Sequence, residues 1–424
     1  MGGSYINLAI IAILVATLYR PVYRELTILG VFRTASSAGN SQERQIRTIE
    51  DTVHCEDLHY YQAADQIFTA CEDSELSRFK WFPPLTNFDT EGERTGSIHV
   101  IDPKTLTSSR LTFENFSGPF VTHGIDLAED PERSDAVYIF AVNHLTNPEY
   151  DREDPHRRDV PKARSQMELF HHVLNSGTVR HLRSIRHPLV TTPNDIYAES
   201  PRSFYVTNDH HHRDGYKRLA EDLLPVARWS NVIHVRLDRL ASTTAETGVD
   251  AVVAAEGFRN PNGLGHGQSR NEVLLTSAIG ATLYHARPNH HNRTLSIVEE
   301  FTFDSTIDNP SYYQDPYRTP SDDASGYVLG GLLRAVDNGE LRNQPEAKEG
   351  IMVWHLRQKP SASNDSSGEW EKRLLFEDDG THIRTASTAL LLPIEPAASE
   401  EKKKARLFVT GFVSQGVIAV EVSL

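Results

Sequence analysis

The stretch DAVYIFAVNH, residues 135–144, is built mainly from β-branched, aromatic and small apolar side chains and ends in Asn143 and His144. This composition predicts a buried β-strand. Short runs of the same kind recur along the chain between Gly, Pro, Asn and Asp residues: GSIHVID (96–102), SFYVTND (203–209), NVIHVRLD (231–238), VVAAEGF (252–258), EVLLTSA (272–278), TLYHA (282–286), GYVLGGLL (326–333), IMVWHLR (351–357), ASTALLLP (386–393) and RLFVTGFVSQGVIAVEV (406–422).

Helical patterns are few, and the clearest, residues 215–227 (GYKRLAEDLLPVA), contains Pro225. Many evenly spaced strands without intervening helices are typical of a sandwich, a barrel or a propeller. Residues 49–424 are too many for one sandwich, which favours an all-β, six-bladed β-propeller with roughly 60 residues per blade. Blades of that size predict long loops on one face.

The N-terminal segment differs from the rest, because residues 5–19 (YINLAIIAILVATLY) carry no charge. The run is shorter than a comfortable membrane span and matches the apolar core of a signal peptide. No Lys or Arg precedes it and no clear cleavage site follows, so an uncleaved signal anchor stays open. We divide the chain into a hydrophobic signal or anchor helix (1–33), a polar linker (34–48) and the propeller domain (49–424).

The composition limits the classes of partner that the protein is expected to bind. A net charge of −15 and a pI near 5.7 argue against nucleic acid, whose phosphates require a basic surface, whereas surplus carboxylates suit cation binding. Two cysteines, Cys55 and Cys71, allow at most one disulfide. Sequons at Asn115, Asn292 and Asn364 would suit glycosylation in the secretory pathway, as a secreted or membrane-anchored protein.

Oxygen-bearing pairs recur at predicted strand ends, and TPNDI, residues 192–196, is the most prominent. Such a segment is commonly only a turn. In a propeller, however, the inner strand ends converge on a central channel, where distant oxygens could together supply the six to eight ligands of calcium. No His and Cys cluster with zinc spacing is evident, and residues 210–212 (HHH) are more typical of an exposed loop. The pairs are Glu56-Asp57, Asn194-Asp195, Asn208-Asp209 and Asp308-Asn309, with Asn262 before Gly263.

Two histidines, His123 in VTHGIDL and His144 in VNH, follow apolar strand residues. A histidine pair can act as a general base because its pKa lies near neutrality. Taken alone, each is more often a hydrogen-bonded structural histidine.

Together these stretches resemble the paraoxonase/arylesterase family, whose members are calcium-dependent six-bladed propellers that hydrolyse lactones and esters. The resemblance runs from about residue 50 to residue 310 and includes the sequon at Asn292 and the retained apolar N-terminus. Its elements follow in order: Cys55-Glu56-Asp57-Leu58, His123-Gly124-Ile125, Val142-Asn143-His144, Ile185-Arg186-His187, Asn194-Asp195-Ile196, Phe204-Tyr205, Thr207-Asn208-Asp209-His210, Ala255-Glu256-Gly257-Phe258, Asn262-Gly263 and Asp308-Asn309.

The resemblance implies two Ca²⁺ ions and a histidine base. The catalytic ion would be held by Glu56, Asn194, Asn262, Asp308 and Asn309. The structural ion would be held by Asp57, Asp195 and the backbone carbonyl of Ile125. His123 would deprotonate the attacking water with His144 as its partner, and Asp209 would orient the pair from behind. The expected substrate is a small lactone or ester, and the N-terminal segment could associate with a membrane.

Departures from the family keep alternatives open. The last strand has no Cys, so closure of the propeller must rest on strand pairing, and a local Cys55–Cys71 bridge stays an open option. The position at which family members often carry a pocket histidine falls near Leu332 in this chain. Lactone hydrolysis is therefore a firmer expectation than arylester or phosphotriester hydrolysis. One alternative is a non-catalytic propeller that uses calcium only for rigidity. Another is a propeller hydrolase of the gluconolactonase type.

Overall fold

The computed structural model describes residues 19–34, 45–89, 94–151, 153, 160–359, 369–396 and 402–424. Within these ranges the chain forms six sheets of four or five strands, and the innermost strands contact one another in a closed ring around a channel. The prediction of a six-bladed β-propeller is therefore confirmed.

Each sheet is a meander that runs from the channel outward. The inner strands are β2 (Leu58–Tyr61), β9 (Thr122–Glu129), β13 (Pro193–Ser200), β17 (Pro261–His266), β21 (Pro310–Tyr313) and β25 (Ala386–Pro393). The second strands are β3 (Gln66–Glu72), β10 (Ala136–Asn143), β14 (Ser203–Asn208), β18 (Val273–Ser277), β22 (Gly326–Leu332) and β26 (Lys404–Gly411). The third strands are β6 (Gly96–Asp102), β11 (Gln166–Val173), β15 (Ser230–Leu237), β19 (Thr282–Asn289), β23 (Ile351–Gln358) and β27 (Val417–Ser423). The outer strands are β7 (Thr107–Arg110), β12 (Thr178–Ile185) with β8 (Thr112–Glu114) parallel to it, β16 (Val249–Phe258), β20 (Thr294–Thr302), β24 (Trp370–Asp378) and β1 (Arg47–Ile49).

The ring is closed by pairing between the first and the last strand of the propeller. Strand β1 pairs antiparallel with β27, with Ile49 opposite Val417, and so supplies the outer strand of the last sheet. Closure by strand pairing is thus what the structure shows. β1 starts at Arg47, which places the first strand two residues inside the predicted linker. A Cys55–Cys71 disulfide forms within the first blade and joins the segment before β2 to β3.

Aromatic and branched side chains fill the space between neighbouring sheets. Phe140 of β10 and Phe204 of β14 face each other across one such junction with ring centroids 4.9 Å apart, and both are fully buried. A buried side chain of this size stabilises the fold by about 1.5–3 kcal/mol. The alternation that predicts the strands is therefore also what packs one blade on the next.

The helices are short and lie outside the sheets. They are α1 (residues 19–28), α2 (Ser77–Lys80), α3 (Gly215–Leu223) and α4 (Ala335–Leu341), with a small hairpin of β4 (Trp81–Phe82) and β5 (Asn87–Phe88). Helix α3 ends four residues before the predicted boundary at residue 227, because Pro225 has no N–H to continue it.

Helix α1 packs on the propeller. Its Glu25 pairs with Arg259 at 2.9 Å, and Ile28 is buried in the core. Within the described ranges, every helix is too short or too polar to cross a lipid bilayer. Residues 5–18 of the predicted signal or anchor lie outside these ranges.

Candidate functional site

Starts of the inner strands meet at one end of the channel. Glu56 precedes β2, Asn194 opens β13, Asn262 opens β17, and Asp308 and Asn309 precede β21. The amide nitrogen of Asn309 donates to Glu56 Oε1 at 3.0 Å, which ties two blades 253 residues apart in sequence. The structure therefore brings together residues that the sequence only spaces apart.

The five side chains share one property. Each has a buried oxygen without a hydrogen-bond partner in the structure: Glu56 Oε2, Asn194 Oδ1, Asn262 Oδ1, Asp308 Oδ1 and Asn309 Oδ1. An unpaired buried oxygen costs about 1–3 kcal/mol, so five at one place require a common partner. Two carboxylates and three amide oxygens are a donor set that suits a hard cation such as calcium.

Electrostatics at this end also favour a cation. Burial and the neighbouring Asp308 and Asp57 raise the pKa of Glu56 well above its usual value. Burial and Asp57 raise the pKa of Asp308 to about 8. No group of three His, Cys, Asp or Glu side chains within the described ranges has ligating geometry. A set dominated by amides agrees with that finding, and its residues fit the calcium implied by the resemblance.

Two glycines let the strands approach this closely. A Cβ atom on Gly124 would lie 2.3 Å from Asp195 Oδ1, and one on Gly263 would lie 2.4 Å from the Cα atom of Asn309. Both distances are shorter than real contacts. The glycines that follow His123 and Asn262 are therefore required by the packing of the channel.

The residues implied for a second ion are arranged differently. Asp57 Oδ1 accepts from Leu58 N at 2.8 Å and from Thr388 Oγ1 at 2.9 Å, while Oδ2 accepts from Ile125 N at 3.2 Å. Asp195 Oδ1 accepts from Ile196 N at 2.7 Å, and its Oδ2 from Leu264 N at 2.6 Å. Each of these carboxylate oxygens already has a protein donor. Because His59 Nε2 also lies 2.8 Å from Asp57 Oδ2, each oxygen of Asp57 has two protein donors, and the set does not fit a second calcium ion.

His59, which the sequence did not single out, binds the same carboxylate. Its Nε2 lies 2.8 Å from Asp57 Oδ2, and its Nδ1 lies 3.1 Å from Asp126 Oδ1. Burial alone would lower the pKa of His59, but Asp57, Asp126 and the Ile125 backbone outweigh it and raise this pKa to about 9.

The predicted histidine pair exists and lies beside the oxygen set. His123 Nδ1 is 3.1 Å from His144 Nε2, and His144 Nδ1 is 2.8 Å from Ser165 Oγ. His123 Nε2 lies 4.0 Å from Glu56 Oε1, so this nitrogen faces the oxygens. Burial lowers the pKa of His123 well below its usual value, and burial lowers the pKa of His144 to about 3. Both rings are therefore neutral at pH 7.

Sequence reasoning missed two residues that position the groups of the site. The ring of Phe82 lies edge-on to His123 and His144, with centroid distances of 5.1 and 5.6 Å. Thr388, from the last blade, accepts from the Asn309 amide nitrogen at 3.0 Å and so turns the Asn309 oxygen towards the other four. Phe82 follows Trp81 in an unremarkable aromatic pair, and Thr388 lies in the region that resembles the family least, so neither carried a signal.

Asp209 is placed behind the site but bonds to other groups. Its Oδ1 lies 3.2 Å from His210 Nδ1, and its Oδ2 lies 3.9 Å from Arg218. It affects the two site histidines through its charge. The exposed-loop interpretation of residues 210–212 is wrong for His210, which is buried and bonds Asp222 at 2.6 Å. That bond needs helix α3, which brings Asp222 back over the strand end.

The remaining predicted positions lie away from the channel. Asn115 and Asn292 are exposed in turns, as an attached glycan requires, and Asn364 lies outside the described residues. A small pocket of about 20 Å³ borders His144 and is lined by Pro83, Thr192 and Arg213 among others.

Comparisons with known proteins show the family to which the chain belongs. The family model "Arylesterase" matches residues 76–317, more than half of the chain. The chain is 31% identical over 192 residues to serum paraoxonase/arylesterase 1 of Mus musculus, which is 45% of each sequence. It is 27% identical over 291 residues to serum paraoxonase/arylesterase 2 of Canis lupus familiaris, covering 66% of this chain and 70% of that one. The chain thus spans less than half of the length of the mouse relative.

Among solved structures, a luciferin-regenerating enzyme is similar with a TM-score of 0.45 at 10% identity, covering 89% of this chain and 95% of that one. The family match covers the blades from helix α2 to strand β21, including His123, His144, Asn194, Asn262 and the Asp308-Asn309 pair. The chain belongs to the arylesterase family.

Proposed function

We propose that the protein is a calcium-dependent hydrolase of lactones and aryl esters. The observation that carries the proposal is the convergence of five unpaired buried oxygens with a neutral histidine pair at one end of the channel. Glu56, Asn194, Asn262, Asp308 and Asn309 would hold the ion. When bound there, calcium supplies a Lewis acid that polarises a carbonyl oxygen and stabilises its developing charge.

The hydrogen bonds of the histidine pair define the base. Ser165 Oγ accepts from Nδ1–H of His144, which leaves His144 Nε2 to accept from Nδ1–H of His123. In this arrangement the lone pair of His123 is on Nε2, the nitrogen that faces the ligand set. His123 Nε2 can therefore take a proton from a water molecule beside the substrate carbonyl.

The reaction follows in two steps. Water oxygen bonds to the carbonyl carbon while its proton moves to His123 Nε2. The carbon–oxygen bond of the ring or ester then breaks, and the leaving oxygen takes that proton back. His144 keeps the imidazole of His123 in the productive tautomer, and Phe82 shields both rings from bulk water.

A propeller that used calcium only for rigidity would not need a buried histidine contact at the ligand set. This contact therefore favours the hydrolase over the non-catalytic alternative. The apolar run at residues 5–19 and the exposed sequons support a secretory-pathway location, either secreted or membrane-anchored.

The experiment is hydrolysis of a lactone series and of phenyl acetate by purified protein. EGTA should abolish turnover of both substrate types, and added Ca²⁺ should restore it, because the oxyanion would lose its stabilising charge. Magnesium is the control, since its smaller, octahedral coordination suits the amide-rich set poorly. Full turnover by protein shown to be free of calcium would overturn the proposal.

A further inference from the structure

His59 joins strands that a second ion would otherwise join. The second ion of the resemblance would link β2 through Asp57, β9 through Ile125 and β13 through Asp195. His59 stands on β2 and reaches Asp57 with one ring nitrogen and Asp126 of β9 with the other. The imidazole thus lies against two of the groups predicted to hold that ion.

Asp126 extends the link to two further blades. It is buried, and its Oδ2 accepts from Ala198 N of β13 at 2.6 Å and from His266 Nε2 of β17 at 2.7 Å. Four consecutive inner strands are therefore joined by one network of His59, Asp126 and His266 with Asp57. A metal ion at this place would have to displace these bonds.

Both ring nitrogens of His59 lie within hydrogen-bond distance of a carboxylate oxygen, so the ring bridges Asp57 and Asp126 directly. Cavities of about 530 and 480 Å³ border His59 and His266 on the side of the channel where the inner strands end. Solvent ions can therefore reach the network, and a calcium ion could compete for Asp57 if the site favoured it.

We infer that His59 takes the place of the second calcium ion, so that the chain binds one calcium ion tightly and holds four inner strands together through the His59–Asp126 network. The expected number of one calcium ion per chain rests on the proposed function, which places that ion among Glu56, Asn194, Asn262, Asp308 and Asn309. The structural role of His59 stands on its own contacts.

The first measurement is the calcium content of the purified protein after dialysis against calcium-free buffer, by atomic emission spectrometry. One ion per chain is expected. Two ions per chain would overturn the inference while leaving the proposed function intact. No bound ion would instead overturn the proposed function, and with it the count of one.

The second measurement separates the role of His59 from calcium. His59→Gln removes the ring that bridges Asp57 and Asp126, and should lower the thermal midpoint in EGTA by about 5 °C or more, because two buried carboxylates each lose a hydrogen bond. The matched control is His171→Gln, which breaks a single histidine–aspartate pair, with Asp130 at 2.9 Å, whose side chains are about as buried as those of His59 and Asp57. A shift no larger than that of the control would overturn the inference, even if the protein binds one calcium ion.

Discussion

The guanidinium of Arg78 lies 4.2 Å above the ring of Phe82, the same ring whose edge contacts both site histidines. Arg78 is fully buried and donates to the carbonyls of Thr122 at 2.6 Å and Phe412 at 2.9 Å. Its Nε lies 3.7 Å from the buried carboxylate of Glu72. Arg78 thus joins the first, second and last blades beside the ring that contacts both site histidines.

Arg78→Met should lower the free energy of unfolding by about 3–5 kcal/mol, because it leaves Glu72 as an unpaired buried charge. Urea denaturation followed by circular dichroism measures the loss. The double variant Arg78→Met with Glu72→Gln should regain part of it, since no unpaired charge remains. A single variant within about 1 kcal/mol of the parent would show that the ion pair contributes little.

His123→Gln should lower lactone turnover by ~10²-fold or more while the calcium content stays unchanged, because glutamine cannot accept the proton of water at neutral pH. Ser165→Ala is the matched control, since it removes only the hydrogen bond that orients His144 from the far side. It should reduce turnover less than His123→Gln does. Equal turnover of His123→Gln and the parent would remove this histidine from the mechanism.

Asn194 and Asp195 are adjacent in β13 and should respond oppositely to truncation. Asn194 directs an unpaired oxygen into the ligand set, so Asn194→Ala should abolish turnover with a small loss of stability. Asp195 accepts backbone N–H groups from its own strand and from Leu264 on the next blade. Asp195→Ala leaves both donors buried and unpaired, and should cost about 2–4 kcal/mol of stability.

The check for this pair is a joint measurement of lactone turnover at saturating calcium and of urea denaturation on both variants. Asp195→Asn serves as a control that keeps one acceptor oxygen, and it should recover part of the stability. Equal losses of activity and of stability in the two alanine variants would contradict the separate roles of Asn194 and Asp195.

Residues at the strand starts could be predicted because each is marked locally. Asn194 follows Pro193, Asn262 precedes Gly263, and Asp308 and Asn309 precede Pro310. Proline and glycine at these places indicate where a loop ends and a strand begins. A propeller then brings every such start to the same end of the channel. The position of the first ligand set follows from local pattern plus fold class.

Long-range partners could not be predicted in this way. His59 is one polar residue after Leu58, and nothing near it shows that it meets Asp126 from the second blade. The same holds for His210, whose partner Asp222 returns through helix α3. Pairings of this kind depend on which side chains face each other across the channel. The alternation along a strand predicts which face of the sheet a side chain lies on, but not which residue of another blade it contacts.

His355 of strand β23 gives a test of stability against pH that is remote from the calcium ligands. Burial, together with the nearby Arg357 and Arg373, lowers its pKa to about 4. In the unfolded chain a histidine titrates near 6.5, so the unfolded state takes up protons first. The stabilising contribution of the neutral ring is therefore present above pH 6.5 and is lost as the pH falls towards 4.

When the pH falls from 7 to 5, protonation of His355 in the unfolded state should lower the free energy of unfolding by about 2 kcal/mol. His355→Phe keeps a buried ring that does not titrate, so its loss over the same range should be smaller by about that amount. Urea denaturation at the two pH values, with calcium and ionic strength fixed, measures the difference. The control is His291→Phe at an exposed turn, which should leave the parent's pH dependence unchanged. An acid loss in His355→Phe equal to that of the parent would mean that the buried ring is not the group that titrates.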